Sequence, residues 1–203
     1  MLTDTDIKEM APKMGVNIAY IGFKDGIPKK LRANKSYIIN LDNAFDTEGK
    51  KNGGTHWVCF FVRTYPNEKT EAIYFDSYGF PPPEIIKKRV KENFGVSLPH
   101  TKVDIQSLAS DMCGWYCLAF LHFIDASQYR SKNLYDDVAT FMEMFLDLST
   151  HIDYKHNEWV LKHFFRSSDP ALRTPIDVRE KDTEEIKTGE GAPMGIPVEI
   201  KYV

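Results

Sequence analysis

The chain has 203 residues, of which 42% are hydrophobic, 27% charged and 13% aromatic; this suits one well-packed soluble domain and excludes wholesale disorder. A formal net charge of -3 gives no global basic field that would ask for nucleic acid. Three cysteines, Cys59, Cys113 and Cys117, exclude a disulfide framework, and six scattered histidines show no metal-ligand spacing, so no metal is expected.

In chain order, residues 5–14 read as a weak helix, "GFKDGIPKK" (22–30) as loop and "KSYIINLDN" (35–43) as a strand ending in turn formers. The acidic, polar start of the chain is no secretory signal, and no run of 18 apolar residues could span a membrane, which points to an intracellular protein. "THWVCFFVR" (55–63) and "EAIYFDSYGF" (71–80) are aromatic and β-branched, and "TYPNEKT" between them suits a hairpin loop. A hairpin pivoting near Asn67 places Asp76 opposite residue 58, within one pair of His56. After "PPP" (81–83), "EIIKKRVKENFG" has the spacing of an amphipathic helix closed by Gly95, and "TKVDIQ" (101–106) alternates like a strand.

"SLASDMCGWYCLAFLHF" (107–123) then joins a polar loop to an apolar run. Its spacing predicts a central buried helix that starts at Cys113, with Asp111 as a candidate cap. Helices over 135–148 and 157–166 are expected to follow. Residues 174–203 turn charged and Gly/Pro-rich, which reads as a tail or docking arm after a domain over 1–173, although "VEIKYV" could form a terminal strand. Two basic stretches, "PKKLRANK" (28–35) and "KKRVK" (87–91), are solvated faces unless folding brings them together.

Cys113 is either a buried small hydrophobe or a nucleophile. At a helix N-terminus, unpaired N–H groups favour the thiolate, and the same groups can stabilise the oxyanion formed when it attacks an acyl carbon. Gly114 would let a substrate carbonyl approach the backbone. A cysteine enzyme also needs a base and a group to orient it; His56 with Asp76 fits those roles. Gln106, seven residues before Cys113, could bring an amide as a second oxyanion donor. Each of these residues has an ordinary structural reading when taken alone.

Together, "GGTHW", "YFDSYGF", the Gln106 spacing and "CGWYCLAFLHF" resemble the adenain family of cysteine endopeptidases, the adenovirus maturation proteases, within the wider group of SUMO-deconjugating-like proteases. "SYIINLDN" and "NEWVLKHFFRSSDPALR" extend the resemblance over residues 10–173. It implies an α+β fold, in which a central mixed sheet packs against the helix headed by Cys113. It also implies His56 as base and acid, Asp76 as its orienter, Cys113 as nucleophile, and Gln106 with the Cys113 N–H as the oxyanion hole. Trp57 looks like the aromatic residue that packs at such sites, and Cys117 matches a second cysteine read as packing, as is Cys59.

The family context implies cleavage of viral capsid or core precursors at small or glycine-containing sites during virion maturation, by a monomer from a DNA virus, virophage or Polinton-like element. The chain departs from the adenoviral pattern in having Asp rather than Glu at position 76, the residue type of the deconjugating branch. It has no cysteine between Asp76 and Gln106, so activation by a disulfide-linked peptide is not expected, and it lacks the basic character that accompanies a DNA activator. No cofactor is required by the sequence. The tail could replace the missing activator by docking, and "IKTGEGAPMG" could be a self-processing site. The alternatives are a deconjugase for ubiquitin-like modifiers, an acetyltransferase with the same His, acid, Cys order, and a non-catalytic binding module.

Overall fold

In the computed structural model, which describes residues 1–125, 133–151 and 153–165, the aromatic and β-branched runs become four strands. β1 (Ile18–Phe23), β2 (Lys35–Asn40), β3 (Trp57–Thr64) and β4 (Thr70–Phe75) lie side by side in chain order. β1 is parallel to β2, while β2–β3 and β3–β4 are antiparallel. Five α-helices and one 3-10 turn (Lys24–Gly26, within the stretch expected as loop) complete the described residues: α1 (Asp4–Lys13), α2 (Glu84–Phe94), α3 (Cys113–Asp125), α4 (Leu134–Met142) and α5 (Tyr154–Phe165). The architecture is α+β with an open mixed sheet.

The β3–β4 hairpin pairs Cys59 with Phe75 and Phe60 with Tyr74, the register that a turn centred on Asn67 predicts. β1 is absent from the sequence reading because all six of its residues are half-buried, so no polar and apolar alternation marks it. Residues 101–106, expected as a strand, form none. Ile105 N and Gln106 N both donate to one carbonyl, Ser77 O, at 2.8 and 3.1 Å. Thr101 N reaches Tyr74 O at 3.2 Å and Tyr74 N donates to Pro99 O at 2.9 Å, so the chain leaves β4 after a single parallel bridge between His100 and Tyr74.

Alternation along the strands sends odd and even positions of β3 to opposite faces. Cys59, Phe61, Ile73 and Phe75 face the core built with α1, α3, α4 and α5. Val58, Phe60, Val62 and Tyr74 face a smaller core with Ile86 and Val90 of α2. Every residue of α3 except His122 is buried. Phe120 stacks on Phe75 with centroids 4.4 Å apart and meets Phe141 edge-on at 5.3 Å, so its truncation to alanine would cost about 3–5 kcal/mol.

α2 keeps its expected bounds, closed by Gly95 at φ 72°. α4 stops at Met142, earlier than the expected 148, and α5 starts at Tyr154 rather than 157. The end of α2, just past the second basic stretch, does pack on the first: Leu31 N donates to Asn93 Oδ1 at 2.9 Å and Asn93 Nδ2 to Lys29 O at 3.0 Å. Glu84 and Glu92 are interleaved there, pairing with Lys87, Lys88 and Arg89. No helix among the described residues is long and apolar enough to cross a membrane. The expected tail, docking arm and terminal strand lie outside the described residues, as does the end of the helix expected at 166.

Candidate active site

His56 stands one residue before β3. Its carbonyl accepts from Leu41 N at 3.0 Å, which extends the β2–β3 ladder one step and fixes the backbone beneath the imidazole. The preceding Gly54 is left-handed at φ 83°, and a Cβ there would collide with the Asn40 amide. A glycine is therefore required in "GGTHW" for the chain to enter the strand.

Asp76 follows the other strand of the hairpin and is fully buried. Its Oδ1 accepts from His56 Nε2 at 2.9 Å and from Tyr78 N at 2.9 Å. Gly79 N closes the turn onto Asp76 O at 2.9 Å. Gly79 is also left-handed, at φ 74°, and a Cβ would come within 2.7 Å of Lys102 O. The carboxylate thus orders its own turn and aims at the imidazole. Its second oxygen, Oδ2, is buried with no hydrogen-bond partner among the described residues.

Burial by itself would lower the His56 pKa, because it disfavours the charged ring. Hydrogen bonding and charge from Asp76 and from the Cys113 side chain outweigh it, and the pKa is raised to about 9. Nε2 is taken by Asp76, which leaves Nδ1 as the ring atom that can exchange a proton with the thiol.

Cys113 is the first residue of α3 and is 1% exposed. Met112 O accepts from Tyr116 N at 3.0 Å, so Met112, not the expected Asp111, holds the cap position. Asp111 instead accepts from the Met1 ammonium at 2.7 Å. The space a Cβ would fill at Gly114 is occupied by Leu2, whose Cβ lies 3.1 Å away. Gly114 therefore admits the N-terminal segment against the helix start, a packing reason beside the substrate-approach reason read from the sequence.

Gln106 is buried beside this helix start. Its Nε2 donates to Ser110 O at 2.8 Å and to Tyr78 Oη at 3.3 Å, and its Oε1 accepts from Ser77 Oγ at 2.7 Å. Helix α5 clamps the same segment: Asn157 Nδ2 donates to Ile105 O at 3.0 Å, and Glu158 Oε1 accepts from Ser110 Oγ at 2.7 Å.

Trp57 is buried in the core and donates Nε1–H to Leu2 O at 2.8 Å. The ring stacked on His56 is that of Tyr78, with centroids 4.6 Å apart. Cys59 and Cys117 are fully buried, and the Cys117 thiol turns to Trp57 O at 3.4 Å; burial pushes its pKa well up. Both behave as packing residues. A groove of about 660 Å³ flanks the site, lined by Gly53, Gly54, Trp57 and Asn40 opposite Leu2 and Thr3.

The structure thus gathers His56, Asp76, Gln106 and Cys113. Sequence reasoning missed Tyr78, Ser77, Asn157 and Glu158. Tyr78 lies inside the turn that Gly79 N closes onto Asp76 O, so no strand or helix period marked it. Among the described residues no cluster of His, Cys, Asp or Glu could hold a metal ion. No family model matches the chain, and no curated protein matches it significantly.

Proposed function

We propose that the chain is a cysteine endopeptidase that works through a thioester acyl-enzyme. The observation that carries this reading is one imidazole placed between a buried carboxylate, at 2.9 Å, and the side chain of Cys113 at the N-terminus of α3. With a pKa raised to about 9, His56 is an imidazolium at neutral pH, the partner a thiolate needs. The thiolate attacks the scissile carbonyl, and the Cys113 N–H and the Gln106 region stabilise the oxyanion. His56 then protonates the leaving amine. Neutral again, it takes a proton from the water that hydrolyses the thioester.

The order His56, Asp76, Gln106, Cys113 and the sheet packed on α3 support the adenain resemblance, including its fold. On that basis the substrates are viral capsid or core precursors, cut at small or glycine-containing sites during virion maturation. Activation does not run through a disulfide-linked peptide, because no cysteine lies between Asp76 and Gln106. Asp at position 76 favours a second substrate class, a folded ubiquitin-like modifier joined through its C-terminal glycines.

The test is cleavage of a glycine-rich peptide library beside a ubiquitin-like conjugate, by the wild type and by Cys113→Ala. Peptide cleavage lost in the variant supports the endopeptidase. Cleavage of the conjugate alone selects the deconjugase, and cleavage of neither by wild type contradicts both.

A further inference from the structure

The protease reading above assigns the side-chain oxyanion donor to Gln106, yet the hydrogen bonds around that amide point one residue further. The Ser110 carbonyl can only accept, so its 2.8 Å contact fixes Nε2 as the end of the amide that faces it. Ser77 Oγ agrees, donating to Oε1 from the other side at 2.7 Å. Nε2 has two hydrogens. One goes to Ser110 O and the second to Tyr78 Oη, at 3.3 Å.

Tyr78 Oη is therefore an acceptor from Gln106, and its own hydrogen meets no acceptor among the described residues. The phenol ring is fixed by stacking on His56, with centroids 4.6 Å apart and planes 27° from parallel. Burial, then the charges of Cys113 and Asp76, raise its pKa; the phenol stays protonated at neutral pH and lies within electrostatic reach of the thiol.

We propose that the Tyr78 hydroxyl is the side-chain donor to the oxyanion, with Gln106 behind it as the group that aims and polarises it. This rests on the protease reading. When the Cys113 sulfur bonds to the carbonyl carbon, the π pair moves onto oxygen, which accepts a hydrogen bond from Tyr78 O–H and one from the Cys113 N–H. No proton is transferred in this step. On collapse the pair returns to re-form C=O, the C–N bond breaks, and the amine takes its proton from His56. The relay Gln106 N–H, Tyr78 O–H, oxyanion is cooperative, each bond strengthening the next. Gln106 is then a positioning residue and Tyr78 a catalytic one.

Two reagents separate the roles. Acylation of Cys113 by p-nitrophenyl acetate passes through an oxyanion, whereas alkylation by iodoacetamide does not. Tyr78→Phe keeps the ring on His56 and removes only the hydroxyl. The expected result is acylation slower by about 100-fold with the alkylation rate unchanged, and Gln106→Ala with Tyr78→Phe no slower than Tyr78→Phe alone. Acylation by Tyr78→Phe at the wild-type rate overturns the inference and returns the donor role to Gln106. Equal loss of both rates overturns it too, since the hydroxyl would then be holding the thiol and imidazole in place. A wild type that alkylates rapidly at Cys113 but never acylates removes the protease reading itself.

Discussion

The two arms of the site are held by different kinds of bond. The His56–Asp76 arm hangs from the end of a hairpin whose register repeats over six residue pairs, so no single ladder bond decides where the imidazole and carboxylate meet. The Gln106–Cys113 arm has no ladder. Residues 101–112 contain no strand or helix, and past one backbone bond from Thr101 N to Tyr74 O they are placed by scattered contacts to Ser77, Tyr78, Leu148, Asn157 and Glu158. A ladder spreads a perturbation over many equivalent bonds, whereas a pinned segment concentrates it at the pin. The first arm should fail through its charges and the second through its contacts.

The largest effect should come from the charge on the ladder-held arm. Asp76→Asn keeps the shape and removes the carboxylate that holds His56 protonated, so peptide hydrolysis should fall by roughly 10³-fold or more, about 4 kcal/mol. It should also flatten the dependence of stability on pH. His56 is raised from 6.5 to about 9, so its contribution to stability is fully present below about pH 6.5 and is lost as pH rises through about 9, amounting to about 3 kcal/mol. Denaturant titrations across that window should show the slope in wild type and a much smaller one in Asp76→Asn. An equal slope in both would mean that the pair is not what charges the ring.

The pinned arm should break next, and by stability rather than by charge. Asn157 is fully buried and bridges three backbone groups, accepting from Leu146 N at 2.7 Å and donating to Leu146 O and Ile105 O at 2.8 and 3.0 Å. Asn157→Ala leaves those groups unpaired at about 3 kcal/mol, which should lower the melting temperature and also lower kcat, although α5 contributes nothing to the reacting atoms. A variant with full activity at a lower melting temperature would show that the segment is held from elsewhere. The smallest change is Ser77→Ala, which removes one bond to Gln106 Oε1 and should cost about 1 kcal/mol. Its kcat should fall several-fold with KM unchanged, because the amide turns while the residues that line the neighbouring groove stay in place.

The same division explains what could be read from the sequence. Aromatic and β-branched runs marked β3 and β4, helix spacing marked α2 and α3, and the hairpin register alone was enough to bring Asp76 near His56. Residues 101–106 also alternate, but what decides their course is a pair of N–H groups sharing Ser77 O, a tertiary choice that no local pattern records. β1 (IAYIGF) is short, half-buried and runs into the loop-like "GFKDGIPKK", so neither alternation nor a bounding turn set it apart. Asn157 reads as one polar residue on a helix until the segment it pins is in place. The packing of Leu2 against Gly114 is likewise a contact between residues 112 apart, beyond the reach of local spacing.

The central claim is that His56 and Cys113 form an imidazolium–thiolate pair. Its most direct test is the rate of iodoacetamide labelling followed by intact mass across about pH 5 to 9, for wild type and for His56→Ala. Labelling at Cys113 alone should be already fast below neutral pH in wild type and lost in the variant, with Cys59 and Cys117 unlabelled because neither thiol pairs with His56 and burial holds the Cys117 thiol protonated. Slow labelling that rises only near pH 8.5, the ordinary range of a free thiol, and equally in both proteins, would contradict it.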